Sequence, residues 1–227
     1  MNGRTATLIG ATGLIGSHLF QLLKEDKTFD ATRLLVRRPF QQNDPGVEVK
    51  LIAFDDHESF KLGIEGSSVV FCTIGTTQKK VNGNKEAYRK IDFDIPVKAA
   101  SFCKETGCNT FVLVSSVGAD SNSKNFYLRL KGEVEDAVKK EGLKSIHIMR
   151  PSILLGNRRE FRLGENIGKI AMQAFSFLLF GKMKKYKPIH AKDVAQAMLN
   201  AGRQNKEGSF VYEGPELFAL SKGKFAD

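Results

Sequence analysis

The chain has no tryptophan and only three cysteines, Cys72, Cys103 and Cys108, in 227 residues. Their odd number and irregular spacing fit neither a disulfide framework nor a zinc site, so the fold rests on its core alone. Unpaired thiols, together with a first stretch, Met1-Asn2-Gly3-Arg4, that carries no signal-peptide pattern, lead to the expectation of a cytoplasmic protein. Long apolar runs are missing too. Ile170 to Phe180 is too short to cross a bilayer, so no membrane span is expected. Internal repeats and low-complexity segments are absent. What remains, 41% hydrophobic and 26% charged residues, is the composition of a globular domain able to bury a core of its own.

Acidic residues are in short supply. The formal net charge is +10, and residues 120–227 hold 20 Lys and Arg against 12 Asp and Glu. Aromatic residues do not interleave these cations and no recognition motif accompanies them, so nucleic acid is not the expected partner. A solvated basic face that partly serves an anionic cofactor is.

Glycine, by contrast, is concentrated where it matters. Ala6 to Ile9 reads as a buried strand, and Gly10-Ala11-Thr12-Gly13-Leu14-Ile15-Gly16 follows at once before an apolar helical pattern of Leu14, Leu19, Leu22 and Leu23. Strand, glycine turn and helix make the first half of a dinucleotide-binding βαβ unit. Gly10 permits the tight turn, Gly13 admits a pyrophosphate to the backbone, and Gly16 lets helix and strand approach. The helix N-terminus then presents unpaired N–H groups to phosphate. The second strand, Ala31 to Val36, ends in Arg37-Arg38-Pro39, where an NAD site would carry Asp or Glu for the ribose 2′-hydroxyl. Two arginines suit a 2′-phosphate, so NADP(H) is the expected cofactor and NAD(H) the lesser alternative.

Further strands are expected at Val47 to Phe54, Ser68 to Ile74, Thr110 to Val114, Ser145 to Met149 and Ser209 to Tyr212. Asp55, after the third, is a candidate acceptor for the adenine amino group. Ile74, Gly75 and Thr76, after the fourth, lie beside the cofactor crevice. Gln78 to Lys85 reads as a loop and Tyr88 to Thr106 as a helix in which Pro96 implies a kink or a late start. A helix begins at Asn125, an apolar one spans Ile167 to Phe180, and Ile189 to Ala195 opens a final one. Alternating strands and helices predict an α/β fold, a doubly wound parallel sheet of the Rossmann type. Residues 1–227 are expected to form one NAD(P)-binding domain, to which 151–227 contribute a small C-terminal substrate lobe.

Tyr127 and Lys131 stand four apart on the predicted helix and so share a face. Ser116 lies at the carboxyl end of a strand, where open α/β sheets place their sites. The trio suits moving a proton with a hydride: the tyrosine hydroxyl serves the substrate oxygen, the ammonium favours a phenolate, and the serine orients the oxygen. Ser115 is the alternative serine, directed to the other side of the strand end. His18 and His147 read as structural, His57 as a loop residue, His190 as packing before the last helix, and Cys72 as a small buried hydrophobe.

From Thr5 to about Gly156 the chain resembles the short-chain dehydrogenase/reductase superfamily. Gly10 to Gly16, Gly75-Thr76-Thr77, Val114-Ser115-Ser116, Tyr127 to Glu135 and Arg150-Pro151 resemble most closely its atypical group that contains HIV-Tat-interacting protein 2. The resemblance implies NADPH binding, roles for Tyr127 and Lys131 at the cofactor, and contacts from Arg37, Ile74, Gly75 and Arg162. The expectation is an NADP(H)-dependent oxidoreductase of a small carbonyl or alcohol, with Ser116, Tyr127 and Lys131 catalytic and no metal. The alternative is a redox-sensing regulatory module that binds NADP(H) and acts through a protein partner. A nucleotide-sugar epimerase or dehydratase would want a larger C-terminal lobe.

Overall fold

A computed structural model describes residues 3–156 and 181–224. Strand β1 (Thr5–Ile9) feeds helix α1 (Leu14–Glu25), and β2 (Ala31–Val36), β3 (Val47–Leu51), α2 (His57–Ile64) and β4 (Val69–Cys72) follow. A 3₁₀ turn (Gln78–Val81), α3 (Lys85–Arg89), a π turn (Lys90–Asp94) and α4 (Ile95–Thr106) lead to β5 (Thr110–Val114), α5 (Phe126–Lys140) and β6 (Ser145–Arg150). The remainder comprises β7 (Leu154–Leu155), a 3₁₀ turn (Gly181–Tyr186), β8 (Ile189–His190), α6 (Ala191–Gly202), β9 (Gly208–Glu213) and α7 (Pro215–Ser221). The expected helix from Ile167 to Phe180, and Arg162, lie outside the described residues.

Among the described residues one parallel sheet of seven strands runs in the order β3-β2-β1-β4-β5-β6-β9, and β7 pairs with β8 beside it. The order reverses between β1 and β4, which opens a crevice beyond their carboxyl ends. Alternation along the strands divides the core between the two faces. Leu8, Leu34, Phe71 and Val112 pack beneath α1, α6 and α7, whereas Ile9, Leu35, Val70 and Phe111 pack beneath α2, α4 and α5. Of the C-terminal residues, α6 lies against α1, and β9 takes the sheet edge beside β6.

Several boundaries differ from the sequence reading for local reasons. The third strand stops at Leu51, because Asp56 caps α2 through the Glu58 and Ser59 N–H groups and draws the chain out of the sheet. His57 consequently opens that helix rather than a loop, with its ring edge-on to Phe102 at 4.7 Å. The 3₁₀ turn and the start of α3 occupy the expected loop from Gln78 to Lys85. Ahead of Pro96, which has no N–H to bond one turn back, the helix widens into the π turn, and α4 begins at Ile95. His190 is exposed, not packed. Helix α7, seven residues opened by Pro215, follows the one expected to be last.

His147 fixes the β6–β9 edge. It is fully buried, and its ring stacks on the aromatic residues of β9, 5.3 Å from Phe210 and 5.9 Å from Tyr212. Ser145 Oγ donates its only proton to Lys206 O at 2.7 Å, so its 2.9 Å contact with His147 requires the proton on Nε2. Nδ1 must then accept, and Tyr212 Oη–H donates to it at 3.0 Å. A neutral imidazole is therefore built in. Burial, and secondarily the Lys206 charge, lowers its pKa to about 4. The neutral form is favoured on folding, so this stabilisation is complete above the unfolded value near 6.5 and is lost as pH falls from 6.5 to 4. The loss amounts to about 3 kcal/mol at roughly 1.4 kcal/mol per pH unit. Urea unfolding of the wild type should show this decline, and His147→Gln should show a visibly shallower one. An imidazole that titrates near 6.5 by NMR would contradict the assignment.

Candidate active site

The crevice starts from the turn after β1. Gly10 holds φ +95°, a conformation that side-chain-bearing residues rarely adopt, and Gly13 N–H donates to Gly10 O at 2.9 Å. A Cβ on Gly16 would lie 2.1 Å from Gly10 O and 2.6 Å from Thr73 Oγ1, so the approach of α1 to β1 leaves no room for one. Thr73, which sequence reasoning passed over, braces the turn: its hydroxyl lies 3.0 Å from Ile9 O and 3.1 Å from Gly10 O. Gly13 is the N-cap of α1, no side chain caps that helix, and no acid stands in its first turn. A Cβ on Gly13 would meet only Gly10 O, at 3.3 Å, and would otherwise project into the cradle. The turn therefore offers backbone N–H groups and open space, which is what a bound pyrophosphate uses.

Two cavities adjoin this turn. The larger, of about 760 Å³, is bounded by Gly10 to Gly13, Arg37, Arg38, Phe40, Phe54, Ile74 to Thr76, Lys80 and Ile91, with no carboxylate among the described residues. The smaller, of about 290 Å³, is bounded by Gly13 to Ile15, Ser115, Ser116, Tyr127, Lys131 and Pro151 to Leu154. Gly13, Thr73, Ile74 and Gly75 line both, so the cavities are two ends of one crevice. Residues singled out separately in the sequence thus meet around one space. Asp55 does not join them; it is exposed and lines neither cavity, while its neighbour Phe54 does.

Behind the smaller cavity lies a charge pair that the sequence did not disclose. Lys131 Nζ stands 3.1 Å from Asp92 Oδ1, with both side chains buried. The contact is an ion pair rather than an aligned hydrogen bond, since Oδ1 takes none. Asp92 Oδ2 accepts the Thr76 N–H at 2.6 Å, and Tyr88 Oη–H donates to Thr76 O at 3.1 Å. Asp92 lies in the π turn, so the widened helix brings a carboxylate under both the β4 end and α5. An acid within the apolar pattern Ile91-Asp92-Phe93 was the available signal; its partner lies far along the chain.

Tyr127, Lys131 and Glu135 follow at four-residue spacing along α5 and form one inward stripe. Glu135 is buried and accepts from Arg150 Nε at 2.9 Å and Nη2 at 2.6 Å, a bidentate pair. It also takes the Ser115 hydroxyl proton at 2.5 Å. Ser115 is thereby committed to joining β5, α5 and β6. Among the described residues the Ser116 hydroxyl has one long contact, 3.4 Å, to Val117 O, and it borders the cavity. Cys72 is wholly buried, and burial pushes its thiol up to about 12, so it stays protonated as packing.

Comparison with known proteins agrees with this architecture. A family model described as NAD(P)H-binding matches residues 10–204. Protein FMP52, mitochondrial, of Candida albicans is 32% identical over 225 residues, which cover 94% of this chain and 96% of that protein. Protein HTATIP2 of Rattus norvegicus is 31% identical over 168 residues, 73% of this chain and 69% of its own length. Among solved structures, MoeE5 in complex with UDP-glucuronic acid and NAD matches with a TM-score of 0.69 at 15% identity, covering 92% of this chain and 75% of that one; the likeness is one of fold. The expectation of a cytoplasmic protein is corrected by these relatives, since FMP52 proteins of several fungi are named mitochondrial. All three cysteines are buried, so their free state reflects packing and does not report the compartment.

The Asp92–Lys131 pair makes a thermodynamic prediction. Removing one member of a buried pair strands the other's charge, at a cost of about 3–5 kcal/mol. Asp92→Ala should lose that much in urea unfolding, and Asp92→Ala/Lys131→Met should recover most of it. Equal loss in both variants would show that the pair is not coupled.

Proposed function

We propose that this chain, which belongs to the NAD(P)H-binding family and to the atypical short-chain dehydrogenase/reductases, is an NADP(H)-dependent oxidoreductase of a small carbonyl or alcohol. One observation carries the reading: Ser116, Tyr127 and Lys131 border a cavity continuous, through Gly13 and Gly75, with the cavity of the glycine turn. Gly10 to Gly16 would hold the pyrophosphate, Arg37 and Arg38 the 2′-phosphate, and Ile74 to Thr76 the floor between them. Two guanidiniums and no carboxylate at the end of β2 support NADP(H) over NAD(H). When bound, the nicotinamide supplies or takes the hydride.

The protein's own task is proton transfer and positioning. Tyr127 Oη gives its proton to the carbonyl oxygen during reduction and recovers one in the reverse direction. Ser116 Oγ–H donates to the same oxygen and holds it in line. Lys131 lies one helical turn from Tyr127, with its Nζ 6.0 Å from the phenol ring centre. Asp92 keeps that ammonium at the back of the cavity, and the cavity's volume suits a small substrate. The mitochondrion is the proposed location, from the designation of the FMP52 relatives.

The regulatory alternative uses the glycine turn and Arg37 alone, and does not call on Ser116 or Tyr127. A screen of aldehydes and ketones, followed by NADPH consumption, separates the two. Tyr127→Phe should lower turnover about 10²-fold or more with NADPH affinity nearly unchanged. Wild-type turnover in that variant would exclude the assigned acid. Arg37→Ala should erase a preference for NADPH over NADH in a fluorescence titration; a preference that survives would remove Arg37 from the 2′-phosphate site.

A further inference from the structure

Thr73 belongs to none of the sequence motifs, yet its hydroxyl is aimed at the carbonyl on which the glycine turn closes. We propose that Thr73 is a positioning residue for the cofactor pyrophosphate, which holds the Gly10 carbonyl and thereby sets Gly13 and the N-terminus of α1 in place for the phosphates; the inference rests on the NADP(H) reading above.

The direction of the hydroxyl is the first observation. Strand β4 ends at Cys72, which pairs with Ile9, and Thr73 N–H donates to Ile9 O at 2.9 Å. Its Oγ1 lies 3.0 Å from that same carbonyl oxygen and 3.1 Å from Gly10 O. Carbonyl oxygens only accept, so the single hydroxyl proton is shared between the two. The glycines leave it room. A Cβ on Gly10 would stand 2.7 Å from Thr73 Oγ1, and one on Gly16 2.6 Å.

The second observation is what depends on the Gly10 carbonyl. The same oxygen accepts Gly13 N–H at 2.9 Å, so a donor from the turn and a donor from the end of β4 meet on it. Gly13 is the N-cap of α1, and its carbonyl takes the Ser17 N–H at 2.8 Å. A chain of bonds therefore runs from Thr73 through Gly10 and Gly13 into the first turn of the helix. The N–H groups that open a helix have no partner within it, and those of Leu14 and Ile15 precede the Ser17 bond. Donors already fixed in place need not be ordered when a phosphate binds. Thr73 and Gly13 line both cavities, so the anchor lies where the two meet.

The hydroxyl itself is required here. Valine would set a methyl group where Oγ1 stands, 3.0 and 3.1 Å from two carbonyl oxygens, inside the roughly 3.3–3.6 Å of a C–H···O contact. Serine would keep the bond and lose only a methyl.

Fluorescence titrations of the full chain with NADPH and with NADH test this, using wild type, Thr73→Val and Thr73→Ser. Displacement of NADPH by adenosine 2′-monophosphate, which carries the 2′-phosphate but no pyrophosphate, completes the set. Thr73→Val should bind both dinucleotides about tenfold more weakly, as for one lost hydrogen bond, with adenosine 2′-monophosphate near wild type. Thr73→Ser should bind all three near wild type. A general loosening of the crevice would weaken all three ligands in Thr73→Val, and that result overturns the inference. So does an unchanged affinity in Thr73→Val, or a serine variant as weak as the valine one. Thr73→Ala, which removes the hydroxyl without adding a methyl, supplies the same comparison if urea unfolding shows Thr73→Val to be unfolded. A wild type that binds NADH alone overturns the NADP(H) reading, and the NADH titrations, with adenosine as the fragment, then decide for Thr73. A wild type that binds neither nucleotide overturns both.

Discussion

The contact between α1 and the turn after β1 is the constraint on which the crevice depends. A single carbon added at Gly16 would stand 2.1 Å from the Gly10 carbonyl oxygen, well inside any allowed approach. That proximity brings the uncapped end of α1 to the point where the sheet order reverses, beyond the carboxyl ends of β1 and β4. Thr73 joins a third element to the contact, because its hydroxyl reaches across from the end of β4 to the carbonyls of Ile9 and Gly10. The glycine turn is therefore held from the neighbouring strand, and the two cavities share its residues because of that bracing.

Asp92 plays a comparable role on the other side of the crevice. A buried carboxylate is costly unless its partners return the lost hydration. This one is met by a backbone N–H at the end of β4 and by the ammonium of Lys131 on α5. The π turn that carries it exists where Pro96 interrupts the regular helical bonding pattern. A backbone irregularity thus places one charge at the junction of the Thr76 segment, which borders the larger cavity, and the Tyr127–Lys131 stripe, which borders the smaller. Glu135 does similar work one turn further along α5, tying Ser115 and Arg150 together and leaving Ser116 toward the open space.

Much of this was legible in the chain itself. Apolar strands alternating with helical patterns indicated the parallel sheet, because strands covered on both faces are apolar almost throughout. The glycine turn, Arg37, Arg38 and the Tyr127–Lys131 spacing are local patterns whose geometry follows from strand ends and helix periodicity. Less legible were elements decided by competition. Asp55 and Asp56 end the same strand pattern, and only the fold shows Asp56 as a helix cap and Asp55 outside the crevice. The compartment was misread because an unpaired cysteine looks the same in sequence whether chemistry or burial keeps it free.

By itself, then, the sequence determined the βαβ framework, the glycine turn and the single helical face that carries Tyr127 and Lys131. Each of these is written in residues a few positions apart. Tertiary structure alone decided that Asp92 would meet Lys131 and that Ser115 rather than Ser116 would be tied down by Glu135. These outcomes depend on crossovers that bring distant segments to the same end of the sheet, and on a π turn that rotates one side chain inward. Sequence spacing carries no measure of either.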